Sequence, residues 1–126
     1  MLFLKNGRNY IHATVGFWSC LPFLKGKRIK SKWLPGIAKG EPLCAVSVTE
    51  PSTGSDVASV SLRASKTDGG WLLNGGKTWC TFAGAAGLIL VLARTEDDEA
   101  LGHRGLSLFV VEKDSYPGEL FELNQS

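Results

Sequence analysis

The sequence predicts a mainly-β fold: an antiparallel β-barrel or sandwich-like domain with a short, partly helical or irregular N-terminal lead-in. Two observations carry that prediction. Short apolar or alternating runs recur from residue 42 onward, and turn signals separate them at strand-like intervals. The chain also holds 15 glycines in 126 residues, above average usage, which points to many turns. That length suits one small domain with a modest core.

Residues 1–30 show no clean period and read as an irregular lead-in or remnant. "KRIKSKW" (27–33) reads as the end of a helix, and Pro35 disfavours helix at Leu34, so the helix is expected to stop there. "PGIAKGE" is then a short turn with Gly40 as a stop signal. "LCAVSVT" (43–49) is a short apolar strand. In "VASVSLRASK" (57–66) Val60, Leu62 and Ala64 alternate with Ser61, Arg63 and Ser65, the pattern of a half-buried strand. "DGG" (68–70) signals a hairpin, and Asn74-Gly75-Gly76 within "WLLNGGKTWCTF" (71–82) reads as a second tight turn. "GLILVLART" (87–95) is a buried strand, "TEDDEALGHRG" a charged loop, "LSLFVVEK" (106–113) a strong strand and "GELFEL" (118–123) a weaker one.

Charge divides the chain. Residues 1–40 carry eight basic residues and no acid, whereas residues 41–126 carry six bases against twelve acids. Phe17, Trp18, Phe23 and Trp33 lie among those bases, as a nucleic-acid surface would want. A charge run alone is weak evidence, and the exposed face of a helical segment is the simpler account. The eleven-residue apolar run 83–93 falls short of the ~18 residues of a membrane span. No A-x-A site supports a secretory signal. Cys20, Cys44 and Cys80 match no disulfide or zinc spacing, and free thiols fit a reducing compartment, the cytoplasm or, in a eukaryote, the mitochondrial matrix.

The motifs need weighing. "GGKT" (75–78) lacks the leading glycine of a phosphate loop, because that place is Trp71. His12 and His103 have no companions at ligand spacing, so no metal site is expected, and no Ser–His–acid set assembles. Trp79 and Thr81, two apart, would face the same way on a strand and offer an indole plane beside a hydroxyl. On spacing alone, a core tryptophan beside a strand threonine is the simpler account. In "TEPSTGSD" (49–56) Pro51 holds Glu50 extended, Gly54 permits a left-handed backbone that can form an anion nest, and Ser55 and Asp56 brace the turn.

Together these segments resemble the middle domain of the acyl-CoA dehydrogenases. That family's signature is fitted by Val48, Thr49, Glu50, Gly54, Ser55, Asp56 and Ser59, and its second marker by Asn74, Gly75, Lys77, Trp79 and Thr81. Ser47 and Thr53 depart from the usual small residues, and Phe82-Ala83 stands where many members have Asn-Gly. The resemblance covers roughly residues 30–123 and divides the chain into a basic lead-in (1–40), remnant of or linker from a helical domain, and a β-domain (41–126) incomplete at its C-terminus.

The resemblance implies FAD as cofactor. It implies contacts from Val46, Ser47, Val48 and Thr49 to the pyrimidine side of the flavin, from Trp79, Cys80 and Thr81 to its ring and reactive nitrogen, and from Ser55 to an acyl-CoA substrate. It implies α,β-dehydrogenation of acyl-CoA thioesters by the full enzyme, a homo-oligomer with electron-transferring flavoprotein as acceptor. The family's glutamate base lies in a C-terminal helical domain, so no residue here is expected to be catalytic and the chain alone is expected to be inactive. The alternatives are a non-catalytic β-barrel binding or interaction module, or the same domain of an acyl-CoA oxidase or flavin monooxygenase.

Overall fold

The computed structural model describes residues 2–4, 14–15, 27–68, 70–113 and 121–123, with side chains over 30–68 and 70–113. Its elements are β1 (Leu2–Leu4), β2 (Thr14–Val15), α1 (Lys27–Lys39), β3 (Cys44–Ser47), β4 (Arg63–Thr67), β5 (Gly70–Lys77), β6 (Leu88–Arg94), β7 (Leu106–Glu112) and β8 (Phe121–Leu123). Short 3-10 segments lie at Val57–Ser59 and Glu99–Gly105. The mainly-β class therefore stands. Among the described residues the strands form one open sheet in the order β2-β7-β6-β4-β5-β1-β8, with β3 also on β6. The sheet is mixed where an antiparallel one was expected, because β3 runs parallel to β6 from Cys44↔Leu88 to Ser47↔Val91 and β4 meets β6 at Arg63↔Arg94.

β6 explains the layering. Its sequence "LILVLAR" is buried on both faces, as suits a strand covered on each side. One face brings Ile89, Val91 and Ala93 against Leu62, Ala64, Leu73, Phe109 and Val111, with Trp71 edge-on to Phe109. The other brings Leu88 and Leu90 beside Leu108 and Val110, with Trp33 and Ile37 of α1 laid over them.

That cover corrects the expected end of the helix. α1 continues through Pro35 to Lys39. An interior proline removes one helical bond and costs about 3 kcal/mol. Trp33 and Ile37, four apart on one helix face, offset this by burial against the sheet. Lys32 adds a pin, with Nζ 2.8 and 2.9 Å from the two carboxylate oxygens of Glu112 and 4.5 Å from the centre of the Trp33 ring. Gly40, read from the sequence as the stop signal of a separate turn, is what ends this longer helix. Its φ is 83°, its N–H donates to Ile37 O at 3.0 Å, and Glu41 N–H donates to Gly36 O at 2.9 Å, a Schellman motif.

Other expectations are refined. The "DGG" hairpin is present, since β4 and β5 pair antiparallel from Arg63↔Asn74 to Thr67↔Gly70. The turn expected at Asn74-Gly75-Gly76 is absent, because β5 runs straight through it and changes partner from β4 to β1. Gly75 is what that passage requires: its φ is 142°, and a Cβ there would lie 3.0 Å from Leu62 Cα. Val60, Leu62 and Ala64 are buried with Ser61, Arg63 and Ser65 exposed, so the predicted alternation holds. The strand itself begins only at Arg63, because the amides of Ser61 and Leu62 bond elsewhere. The irregular lead-in contributes two short strands, β1 on β5 and β8, and β2 on β7. Cys20 and His12 lie outside the described residues.

Candidate functional site

Four residues of "VSVTEP" and three of "KTWCT" are the centre of the predicted site, and the structure brings these segments side by side. Thr78 N–H donates to Thr49 O at 2.9 Å, Lys77 Nζ to Val48 O at 2.8 Å, and the Cys80 thiol to Val46 O at 3.5 Å. Behind this joint lies a buried ion pair. Glu50 and Lys77 are 3% and 0% exposed, with Lys77 Nζ 2.8 Å from Glu50 Oε1. The same oxygen accepts Leu62 N–H at 2.8 Å, and Oε2 accepts Ser61 N–H at 2.8 Å and Ser61 Oγ–H at 2.6 Å. Burial pushes the Glu50 carboxyl up, but the bonds from Lys77, Ser61 and Leu62 outweigh it and hold Glu50 below the usual carboxylate range. Burial also holds the Lys77 ammonium below its usual value, offset in part by Glu50.

Glu50 also closes the turn that follows it. Its N–H donates to Thr53 O at 2.8 Å and its carbonyl accepts Thr53 N–H at 3.1 Å. Gly54 is not in the left-handed region, so the backbone of the expected anion nest is not formed. Past this turn Ser55 is exposed, and Asp56 accepts the Ser59 hydroxyl.

The remaining predicted residues divide by exposure. Val46 is 47% exposed, while Val48, Thr49 and Cys80 are half-buried. Burial pushes the Cys80 thiol up, away from the reactive thiolate. Ser47 is fully buried, main chain included, so it presents no surface to a ligand. Trp79 is 86% exposed with φ 55°, which overturns both the core-tryptophan account and its placement on a strand. Thr81 is exposed beside it, and Phe82 follows at 64% exposure with φ 64°. Left-handed backbone at bulky residues is strained by about 1 kcal/mol or more each, and persists only where the surroundings hold it.

Here the surroundings do hold it. Ala83 N–H donates to Cys80 O, Ala85 and Ala86 N–H donate to Phe82 O at 3.0 and 2.8 Å, and Lys113 Nζ donates to Ala83 O and Gly84 O at 3.2 and 2.6 Å. Ala83 and Ala86 are buried beneath the turn. The outcome is a set of exposed groups on adjoining segments: the Trp79 indole, the Phe82 ring, Thr81 and, across the Cys80 contact, Val46. That combination fits a planar heteroaromatic ligand with polar edges. No metal-ligating cluster occurs among the described residues, and none of their helices is long and apolar enough to cross a membrane.

Sequence reasoning missed Lys77 as a buried group. The signal was there in the strand period: Leu73, Gly75 and Lys77 share one face of β5, and Leu73 is core. An acid in the facing motif, Glu50, was its partner.

Fold and site together are those of a mainly-β domain with an outward aromatic face built on two interlocked motifs. Residues 45–121 match the acyl-CoA dehydrogenase middle domain, and the chain belongs to that family. It is 41% identical over 85 residues to a mitochondrial 2-methylacyl-CoA dehydrogenase of Solanum tuberosum, covering 68% of this chain and 20% of that protein. The chain thus spans about a fifth of the length of that relative. Among solved structures, a glutaryl-CoA dehydrogenase in complex with glutaryl-CoA superposes with a TM-score of 0.67 at 40% identity, over 74% of this chain and 23% of the other. The FAD complex of PigA does so with a TM-score of 0.66 at 32% identity, over 74% and 24%.

Proposed function

We propose that this chain is the flavin- and acyl-CoA-contacting middle domain of an acyl-CoA dehydrogenase, with FAD as its cofactor. The carrying observation is the 86%-exposed Trp79, held in a strained backbone beside Thr81 and bonded through Thr78 to the Val46–Thr49 segment. A strained, outward tryptophan of this kind serves a ligand better than a core. Bound there, FAD would supply the electron acceptor for α,β-dehydrogenation of an acyl-CoA thioester. Trp79 would lie against the ring. The Thr49 and Thr81 hydroxyls and the main chain of Val46, Val48 and Cys80 would orient its polar edges, with the buried Ser47 supporting them from beneath, and Ser55 would meet the acyl-CoA. The likeness to the FAD complex of PigA and to the glutaryl-CoA complex supports this assignment.

No carboxylate of the site is free to abstract a proton, since Glu50 is engaged by four donors. The chain alone is therefore expected not to turn over acyl-CoA. In the whole protein, electrons would pass to an electron-transferring flavoprotein. The test is an FAD titration of the purified chain, read by flavin absorbance and fluorescence. Uptake is expected, weakened roughly tenfold by Trp79→Ala. A colourless chain that takes up no added FAD overturns FAD binding by this chain alone.

A further inference from the structure

We infer that the buried Glu50–Lys77 pair is a positioning device: it sets the spacing between Val46–Thr49 and Thr78–Thr81, so that groups from both segments form one ligand-facing surface. The purpose of that surface rests on the FAD reading above, whereas the spacing itself does not.

The topology shows why such a device is needed. β3 takes its ladder from β6, and β5 takes its ladders from β4 and β1. Among the described strands, therefore, no ladder joins β3 to β5. Between the two motifs there remain one backbone bond, Thr78 N–H to Thr49 O, and the long thiol contact of Cys80. Lys77 fills the gap. Its ammonium reaches Val48 O and Glu50 Oε1 at 2.8 Å each, so one side chain spans from the end of β5 to the segment after β3. Glu50 extends the brace to Ser61 and Leu62, just ahead of β4. Three chain segments with no common ladder thus converge on the Lys77 ammonium and the Glu50 carboxylate. Directional bonds of this kind fix orientation, which an apolar pair of equal volume would not. Left-handed Gly75 permits the approach by letting β5 pass close over Leu62.

The test uses Glu50→Gln in the full chain, with amide exchange followed by NMR and FAD affinity by titration. The Thr78 amide is expected to exchange about tenfold faster relative to the Ile89 and Val91 amides, which report opening of the whole sheet. FAD affinity is expected to fall about tenfold alongside it. Should Glu50→Gln fail to fold, Ser61→Ala decides. It removes one part-buried hydroxyl bond to Glu50 from an otherwise exposed residue and is expected to shift both readouts in the same direction by about two- to threefold. Equal acceleration at Thr78, Ile89 and Val91 would mean that the pair merely stabilises the fold, and would overturn the inference. So would an unchanged FAD affinity in a variant whose Thr78 exchanges faster. If the wild-type chain takes up no FAD, FAD binding by this chain alone is overturned, and the exchange pattern by itself upholds or overturns the spacing role.

Discussion

Ser47 lies in β3 with no exposed surface, and its Oγ has no sound hydrogen bond among the described residues. The neighbouring Cys80 thiol already donates to Val46 O and is a weak partner at most. A buried hydroxyl in that state costs about 1–3 kcal/mol, so its removal relieves a penalty while leaving a very small void. Ser47→Ala is therefore expected to raise stability by about 1 kcal/mol, seen as a higher urea midpoint at unchanged slope. A lower midpoint would show that the hydroxyl is bonded after all. At this scale the sequence was readable where a side chain does what its polarity suggests. Thr81 and Ser55 are exposed, and Val60, Leu62 and Ala64 are buried. It was misleading where tertiary bonds reverse polarity: Trp79 stands outward and Lys77 inward. Neither reversal is a local property. Trp79 is turned out by the left-handed backbone of a turn pinned from Lys113, and Lys77 is held in by a carboxylate 27 residues away.

Elements, too, follow their local signals until a distant partner competes. α1 runs past Pro35 because Trp33 and Ile37 bury themselves on β6 and β7. β5 ignores the Asn-Gly-Gly turn signal because β1 pairs with its second half. β4 starts late because Glu50 takes the amides of Ser61 and Leu62. The same Glu50 joint has a pH consequence. Its folded carboxyl is held below the ordinary value, so its stabilising contribution is complete above the unfolded glutamate value of about 4.3. The contribution fades as pH falls from there through the depressed folded value. Urea midpoints of the wild type and Glu50→Gln are thus expected to differ most at neutral pH and to converge below about pH 4. A gap that stays constant down to about pH 3 would assign the difference to shape or amide mismatch and not to the carboxylate's charge.

For the molecule as a whole, β6 decides what can be changed without disturbing the site. It is covered on both faces, and β3 meets both: Ala45 lies in the core of Ile89, Val91 and Phe109, and Cys44 packs at the edge of the other face. The other face is closed by α1, whose Trp33 lies over Leu88, Leu90, Leu108 and Val110. Trp33→Ala removes that cover. A fully buried ring costs about 3–5 kcal/mol on truncation, and Trp33 is half-buried, so a loss of about 2 kcal/mol is expected. Lys32 would keep its ion pair with Glu112 but lose the ring beneath it, a smaller effect. No residue belongs to both clusters, so the loss should be global. Amides throughout the sheet, Thr78 included, should exchange faster by one common factor, because each then opens through the same destabilised whole. A selective rise at Thr78 in Trp33→Ala would show that the helix-covered face reaches the aromatic surface, through β6 or through Cys44 of β3. The Glu50–Lys77 joint would then share its task with α1.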